Sequence, residues 1–135
     1  NLLSIQMLGS SADCEKLANL TSNVWYNTIY EKSDEKTNKY TIQKMYYKDN
    51  LPYYNYQDYQ FNNDFNTSIN NLFLDKVDEV SKIEKEAEDI KNQVKGLKNT
   101  PLGQKDIYNA LIEFNNAYQE LVKISINPTG SYKMD

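Results

Sequence analysis

The residues best equipped for contact chemistry in this chain are aromatic. Seven of its twelve tyrosines fall between Asp34 and Gln60, at Tyr40, Tyr46, Tyr47, Tyr53, Tyr54, Tyr56 and Tyr59. Between them lie the amides Gln43, Asn50, Asn55 and Gln57 and the carboxylate Asp58. Tyrosine supplies rigid, amphipathic contact area with few rotamers to freeze, which suits it to protein and sugar recognition. Trp25 and Tyr26 add two rings just upstream. The pattern predicts a ligand-binding surface drawn from Trp25, Tyr26, Tyr46, Tyr47, Tyr53, Tyr54 and Tyr56, for a protein or a glycan. The competing reading is structural: alternate tyrosines rest on neighbouring helices, and Trp25 packs under the segment with its indole N–H bonded.

Most other chemistry is closed by composition. The chain has no histidine, and all fifteen of its basic residues are lysine. Histidine is the usual proton shuttle and metal ligand near neutral pH, and arginine the usual bidentate clamp for anions. Histidine-dependent triads and zinc or di-iron centres in their usual forms are therefore excluded. The glycines Gly9, Gly96, Gly103 and Gly130 are isolated, so no phosphate-cradling loop is present. A net charge of -4 gives no basic footprint for nucleic acid.

What remains is chemistry of carboxylates, amides and one thiol. Asn62, Asn63, Asp64 and Asn66, like Asp49 and Asn50, are oxygen donors that could suit calcium, but neither cluster has EF-hand spacing. Helix capping accounts for the first cluster equally well. Cys14 has no histidine to activate it and sits at an apolar helical position, which predicts core packing. Its preceding residue, Asp13, is charged and rules it out as a lipidated cysteine. A hydrolase built on two carboxylates needs a cleft to hold them, and no sheet or barrel is expected. The expectation is a protein that is not an enzyme, with no cofactor and no metal.

The elements that must position these groups are helical. Leu3, Met7, Ser10, Cys14, Leu17, Thr21, Val24 and Thr28 recur at alternating fours and threes, predicting an amphipathic helix of about eight turns. The period then vanishes from Asp34 to about Gln60. Tyr40 to Tyr47 and Tyr53 to Tyr59 carry strand propensity around the turn residues Asp49 to Pro52, so a long loop with a short hairpin is expected. A second helix starts near Asn62 with Phe65, Ile69, Leu72 and Phe73 inward, and restarts near Leu74. Val77, Val80, Ile83, Ala87, Ile90, Val94 and Leu97 then run on a period near 3.5. After the connector Asn99 to Gly103, a last helix from Gln104 to Ile126 is expected to turn Ile107, Ala110, Leu111, Phe114, Ala117, Tyr118, Leu121 and Ile124 inward. The fold class is all-α: an antiparallel bundle of three to four helices with a Tyr-rich loop or short β-hairpin inserted after the first. A single domain over 1–135 is expected, with an insert at 34–60 and a tail at 127–135.

The run from Glu15 to Glu31, with Asp64 to Thr67, Asn71 to Phe73, Leu97 to Pro101 and Asn127 to Ser131, resembles a group of small uncharacterised helical proteins of low-GC Gram-positive bacteria. Some of that group carry a lipoprotein-type or other membrane-anchoring N-terminus. The resemblance implies an extracytoplasmic or cell-surface location, the cytoplasm being the alternative, and a membrane link only through an anchor outside this sequence. It would also account for a chain that begins at Asn1 without methionine. Together these readings predict a non-enzymatic binding module contacting protein or glycan through the Tyr-rich segment. The rivals are an assembly protein that self-associates through the Val77 to Leu97 stripe and an enzyme working with carboxylates alone.

Overall fold

The computed structural model describes residues 2–47, 57–97 and 105–127. They are mostly helical, in the order α1 (Leu2–Ile29), α2 (Asn38–Thr41), β1 (Ile42–Tyr47), β2 (Gln57–Phe61), α3 (Phe65–Asp75), α4 (Val77–Gly96) and α5 (Lys105–Ile126). The two strands form a small antiparallel sheet after the first helix. No helix among the described residues is long and apolar enough to cross a membrane.

All eight positions of the stripe read from Leu3 to Thr28 are buried in α1. The helix ends in a hydrogen-bonded reversal. Glu31 adopts a φ of 52°, and the Lys32 N–H reaches back to the Asn27 carbonyl at 2.9 Å, which satisfies one of the carbonyls orphaned at the helix end. Glycine is usual at such a left-handed position, and a side chain there costs on the order of 1 kcal/mol.

Packing divides the chain into two compact units, one of Asn1–Ala18 with Val77–Asp135 and one of Asn19–Lys76. In the first, Leu3, Met7, Cys14 and Leu17 of α1 are buried, with Ile83, Ala87, Ile90 and Val94 of α4 and Leu111, Tyr118 and Val122 of α5. The centre of the near-3.5 stripe of α4 is therefore buried inside the chain itself, whereas Val77 is exposed and Val80 and Leu97 are half-buried. Polar bonds fix the rotation of the helices. Ser10 and the Tyr118 hydroxyl lie 2.8 Å apart, and Gln119 donates to the Ala87 carbonyl at 3.0 Å. Burial pushes the Cys14 thiol above its ordinary value, while a bond with Ser125 partly offsets this. It is a packed, inert group.

On α5 only Leu111 and Tyr118 of the expected inner face are buried. Leu111, Asn115, Tyr118, Val122 and Ser125 are buried, whereas Ile107, Ala110, Phe114, Ala117 and Ile124 are exposed and Leu121 is half-buried. The helix carries two adjacent apolar stripes. On the side that turns inward, Tyr118 bonds Ser10 and Gln119 bonds the Ala87 carbonyl.

The second unit has a smaller apolar core of Val24, Tyr40, Ile69 and Leu72, flanked by Leu20, Phe65 and Phe73. The inward face expected for α3 is thus the one that packs. A buried polar network lies in the same unit. The Thr28 hydroxyl donates to Ser68 Oγ at 2.7 Å, and Asn62 donates to the same oxygen and to the Tyr40 carbonyl, each at 2.9 Å. Asn27 donates to Thr37 at 3.0 Å. Asp64 caps α3 by accepting the Thr67 N–H at 2.8 Å, a contact of about 1 kcal/mol in typical helices. Of the candidate calcium donors named above, Asp64 uses Oδ1 to cap α3, and Asn62 is tied in through its amide nitrogen.

Candidate recognition surface

Two aromatic surfaces in the second unit have the composition of a contact site. The first is the end of α1. Tyr26 and Tyr30 stand four residues apart on one helical face, so their rings meet: the centroids are 4.6 Å apart and the planes tilt by 41°. They are 48% and 56% exposed, so the paired rings face solvent. Trp25, on the adjoining face, is half-buried. Its indole nitrogen is enclosed, with no hydrogen-bond partner among the described residues.

The second surface is the hairpin. Its register pairs Ile42 with Phe61, Lys44 with Gln60, Met45 with Tyr59, Tyr46 with Asp58 and Tyr47 with Gln57. An irregularity between Ile42 and Lys44 leaves Gln43 as the extra residue of a bulge. Phe61 at the base is buried, while Gln43, Lys44, Met45 and Tyr46 are all exposed, so β1 leaves the core and is solvated on both faces. One face carries Tyr46, whose hydroxyl donates to Gln60 Oε1 at 2.6 Å and whose ring lies 5.1 Å from the Lys44 ammonium. The other carries Met45, 60% exposed, opposite Tyr59, which in turn contacts Phe61 with ring centroids 6.4 Å apart. An isolated two-stranded ribbon is marginal in water, and these cross-strand contacts supply what local support it has.

A tie from α2 to the end of α3 steadies the base of this surface. Tyr40 is buried, and its hydroxyl donates to the Asp75 carboxylate, which also pairs with Lys39 at 3.3 Å. The Tyr40 hydroxyl and the Lys39 ammonium hold the Asp75 carboxyl below the ordinary range, while burial pushes Tyr40 up.

Of the site residues expected from sequence, Tyr26 and Tyr46 are exposed and Trp25 is half-buried. Tyr47 ends β1, and Tyr53, Tyr54 and Tyr56 lie outside the described residues. The sequence reading missed Tyr30 and Met45. The four-residue interval from Tyr26 to Tyr30 on an amphipathic helix was the available signal for the first. Met45 followed only from the register.

The first unit holds a separate polar groove of about 400 Å³, lined in part by Asp13, Glu86 and Asp89 with Lys82. Lys82 lies 3.3 Å from Asp13 and 3.7 Å from Glu86. Its ammonium pairs with two of the three carboxylates, as in a surface ion-pair network. Among the described residues no group of three acidic or thiol side chains could hold a metal ion.

Comparison of the chain with family models, with curated proteins and with solved structures finds no match.

Proposed function

We propose that this chain is a non-enzymatic binding module displayed at a bacterial cell surface, contacting a protein or glycan through the aromatic surfaces of its second unit. The observation that carries the reading is the Tyr26 and Tyr30 pair, two tilted, half-exposed rings in contact at the end of α1. Flat faces fixed in advance lose little entropy on contact and can stack on a sugar ring or cover an apolar peptide side chain. Exposed Met45 and Tyr46 on the hairpin add an adaptable apolar group and a polar-tipped ring. The location follows from the resemblance to anchored helical proteins.

The remaining helices serve in this reading as an antiparallel bundle that carries the hairpin. The Lys82 to Asp13 and Ser10 to Tyr118 contacts support it by tying α4 and α5 to α1. Self-association through the Val77 to Leu97 stripe has less to work with, because Ile83, Ala87, Ile90 and Val94 are buried within the chain.

The test is binding of the purified chain to an array of bacterial cell-wall glycans and surface proteins, repeated with Tyr26→Ser combined with Tyr30→Ser. Loss of about tenfold or more in affinity for whatever the wild type retains is expected, since each stacked ring is worth on the order of 1 kcal/mol. Unchanged binding by the double variant would remove the helix-end surface from the site.

A further inference from the structure

We infer that the outer face of α5, with the adjoining edge of α1, is a docking groove for an amphipathic helix of another protein whose apolar stripe is flanked by lysine or arginine. This face belongs to the first unit and is independent of the aromatic surfaces above.

Ile107, Ala110, Phe114, Ala117 and Leu121 follow one another at three, four, three and four residues, the spacing of a coiled-coil seam. Among the described residues this seam is left open: Ile107 is 58% and Phe114 38% exposed, Ala110 and Ala117 are exposed, and Leu121 is half-buried. Its middle is concave. Phe114, Ala117 and Leu121 line a groove of about 240 Å³ with Tyr118 and with Ser11 of α1, and its lining is mostly apolar. Leu8, one turn before Ser11 on the same row, is 58% exposed and extends the apolar surface along α1. A period near 3.5 is what a second helix running alongside requires, whereas a flat or irregular partner would place no such demand.

Charge decides what kind of helix fits. The residue just before each of Ile107, Phe114 and Leu121 is acidic: Asp106, Glu113 and Glu120, all exposed. They form a row seven residues apart along one rim of the seam, at the positions that choose partners in coiled coils. Lys123, one turn past Glu120, ends the row. A second copy of α5 laid antiparallel would set this acidic row against itself. Laid parallel, it would need the positions of Leu111, Tyr118 and Ser125, which are buried in the chain's own core. The complementary occupant carries basic residues where this row faces it.

The probes are two synthetic peptides of about three heptads with leucine at the seam, one flanked by lysine and one by glutamate at otherwise identical positions. Each is titrated into the full chain by fluorescence anisotropy. The lysine-flanked peptide is expected to bind at least about tenfold more tightly than its glutamate twin, with the preference reversed by Glu113→Lys together with Glu120→Lys. Phe114→Asp should abolish binding of both. Because that variant adds negative charge, attraction by net charge alone would strengthen it, so the two explanations part. The charge-reversal variant changes exposed residues only and keeps the test valid if Phe114→Asp fails to fold. Equal affinity for the two peptides, binding undiminished in a folded Phe114→Asp chain, or no binding by either peptide at about 100 μM would overturn the proposal. So would light scattering that finds a dimer dissociated by Phe114→Asp, since a second copy would then cover the face.

Discussion

The two compact units are built on different terms. In the first, among the described residues, buried apolar side chains far outnumber the buried polar Ser10, Asn115 and Ser125. In the second, Val24, Tyr40, Phe61, Ile69 and Leu72 share the interior with Thr21, Asn27, Thr28, Thr37, Thr41 and Ser68, close to parity. Apolar burial scales with area and tolerates small displacements, whereas a buried hydroxyl or amide is favourable only while its partner stays in place. The first unit is therefore held by long faces and the second by a few bonds whose loss is felt at once. The exposed aromatic pair and the hairpin both belong to the unit that depends on bonding geometry.

Deleting core volume should give the largest effect and test the first half of this contrast. Ile83 is 1% exposed, and Ile83→Ala should cost about 3 kcal/mol in urea unfolding, within the range for isoleucine truncation in cores. Amide exchange should show whether protection falls mainly in α4 and α5 or across the whole chain, the second result marking one cooperative unit.

Ser68→Ala comes next. It removes few atoms and takes one partner each from Thr28, which keeps the Val24 carbonyl, and from Asn62, which keeps the Tyr40 carbonyl, for an expected loss of about 1 kcal/mol. A cost below about 0.5 kcal/mol would mean that the polar interior of the second unit contributes far less than its geometry suggests.

A change of opposite sign sharpens the same idea. The Thr41 side chain is fully buried and its hydroxyl has no hydrogen-bond partner in the structure. Thr41→Val keeps the β-branched shape, removes the unbonded group and should stabilise the chain by about 1 kcal/mol. Thermal unfolding would register this as a rise of a few degrees, and a fall would show that the hydroxyl is satisfied in solution.

The smallest expected effect is electrostatic. The Asp75 carboxyl is held below its ordinary value by the Tyr40 hydroxyl and the Lys39 ammonium. A depressed carboxyl contributes stability that is fully present above the ordinary carboxylate range and is lost as pH falls through the lower folded value. Wild type should lose this small increment on acidification, and Asp75→Asn should lack it at every pH. Parallel acid-unfolding curves for the two chains would remove Asp75 as the cause.

Periodic elements were the most legible. The α1 stripe from Leu3 to Thr28 and the centre of the α4 stripe were readable because a helix buries one face, and one repeated spacing then predicts every inward position. The break near Leu74 also followed from local residue types, with α3 ending at Asp75 and α4 beginning at Val77. The hairpin was readable as propensity, but not its register. Tyr40 shows the consequence: it falls in α2 with its ring buried, two residues before β1 begins, while Tyr46 emerges to solvent.

Sequence alone determined the mainly helical character, the faces of α1, α3 and α4, and the exclusion of histidine-based chemistry, because each follows from residue type and local spacing. Tertiary structure alone decided which apolar positions of α5 turn inward, since two overlapping stripes satisfy the helical period and it is Val122, with Leu111 and Tyr118, that is buried while Ile107, Phe114 and Ile124 are exposed. It also decided which aromatic rings reach solvent. A tyrosine's exposure depends on what lies across from it, and that partner is set by long-range packing, which no local pattern records.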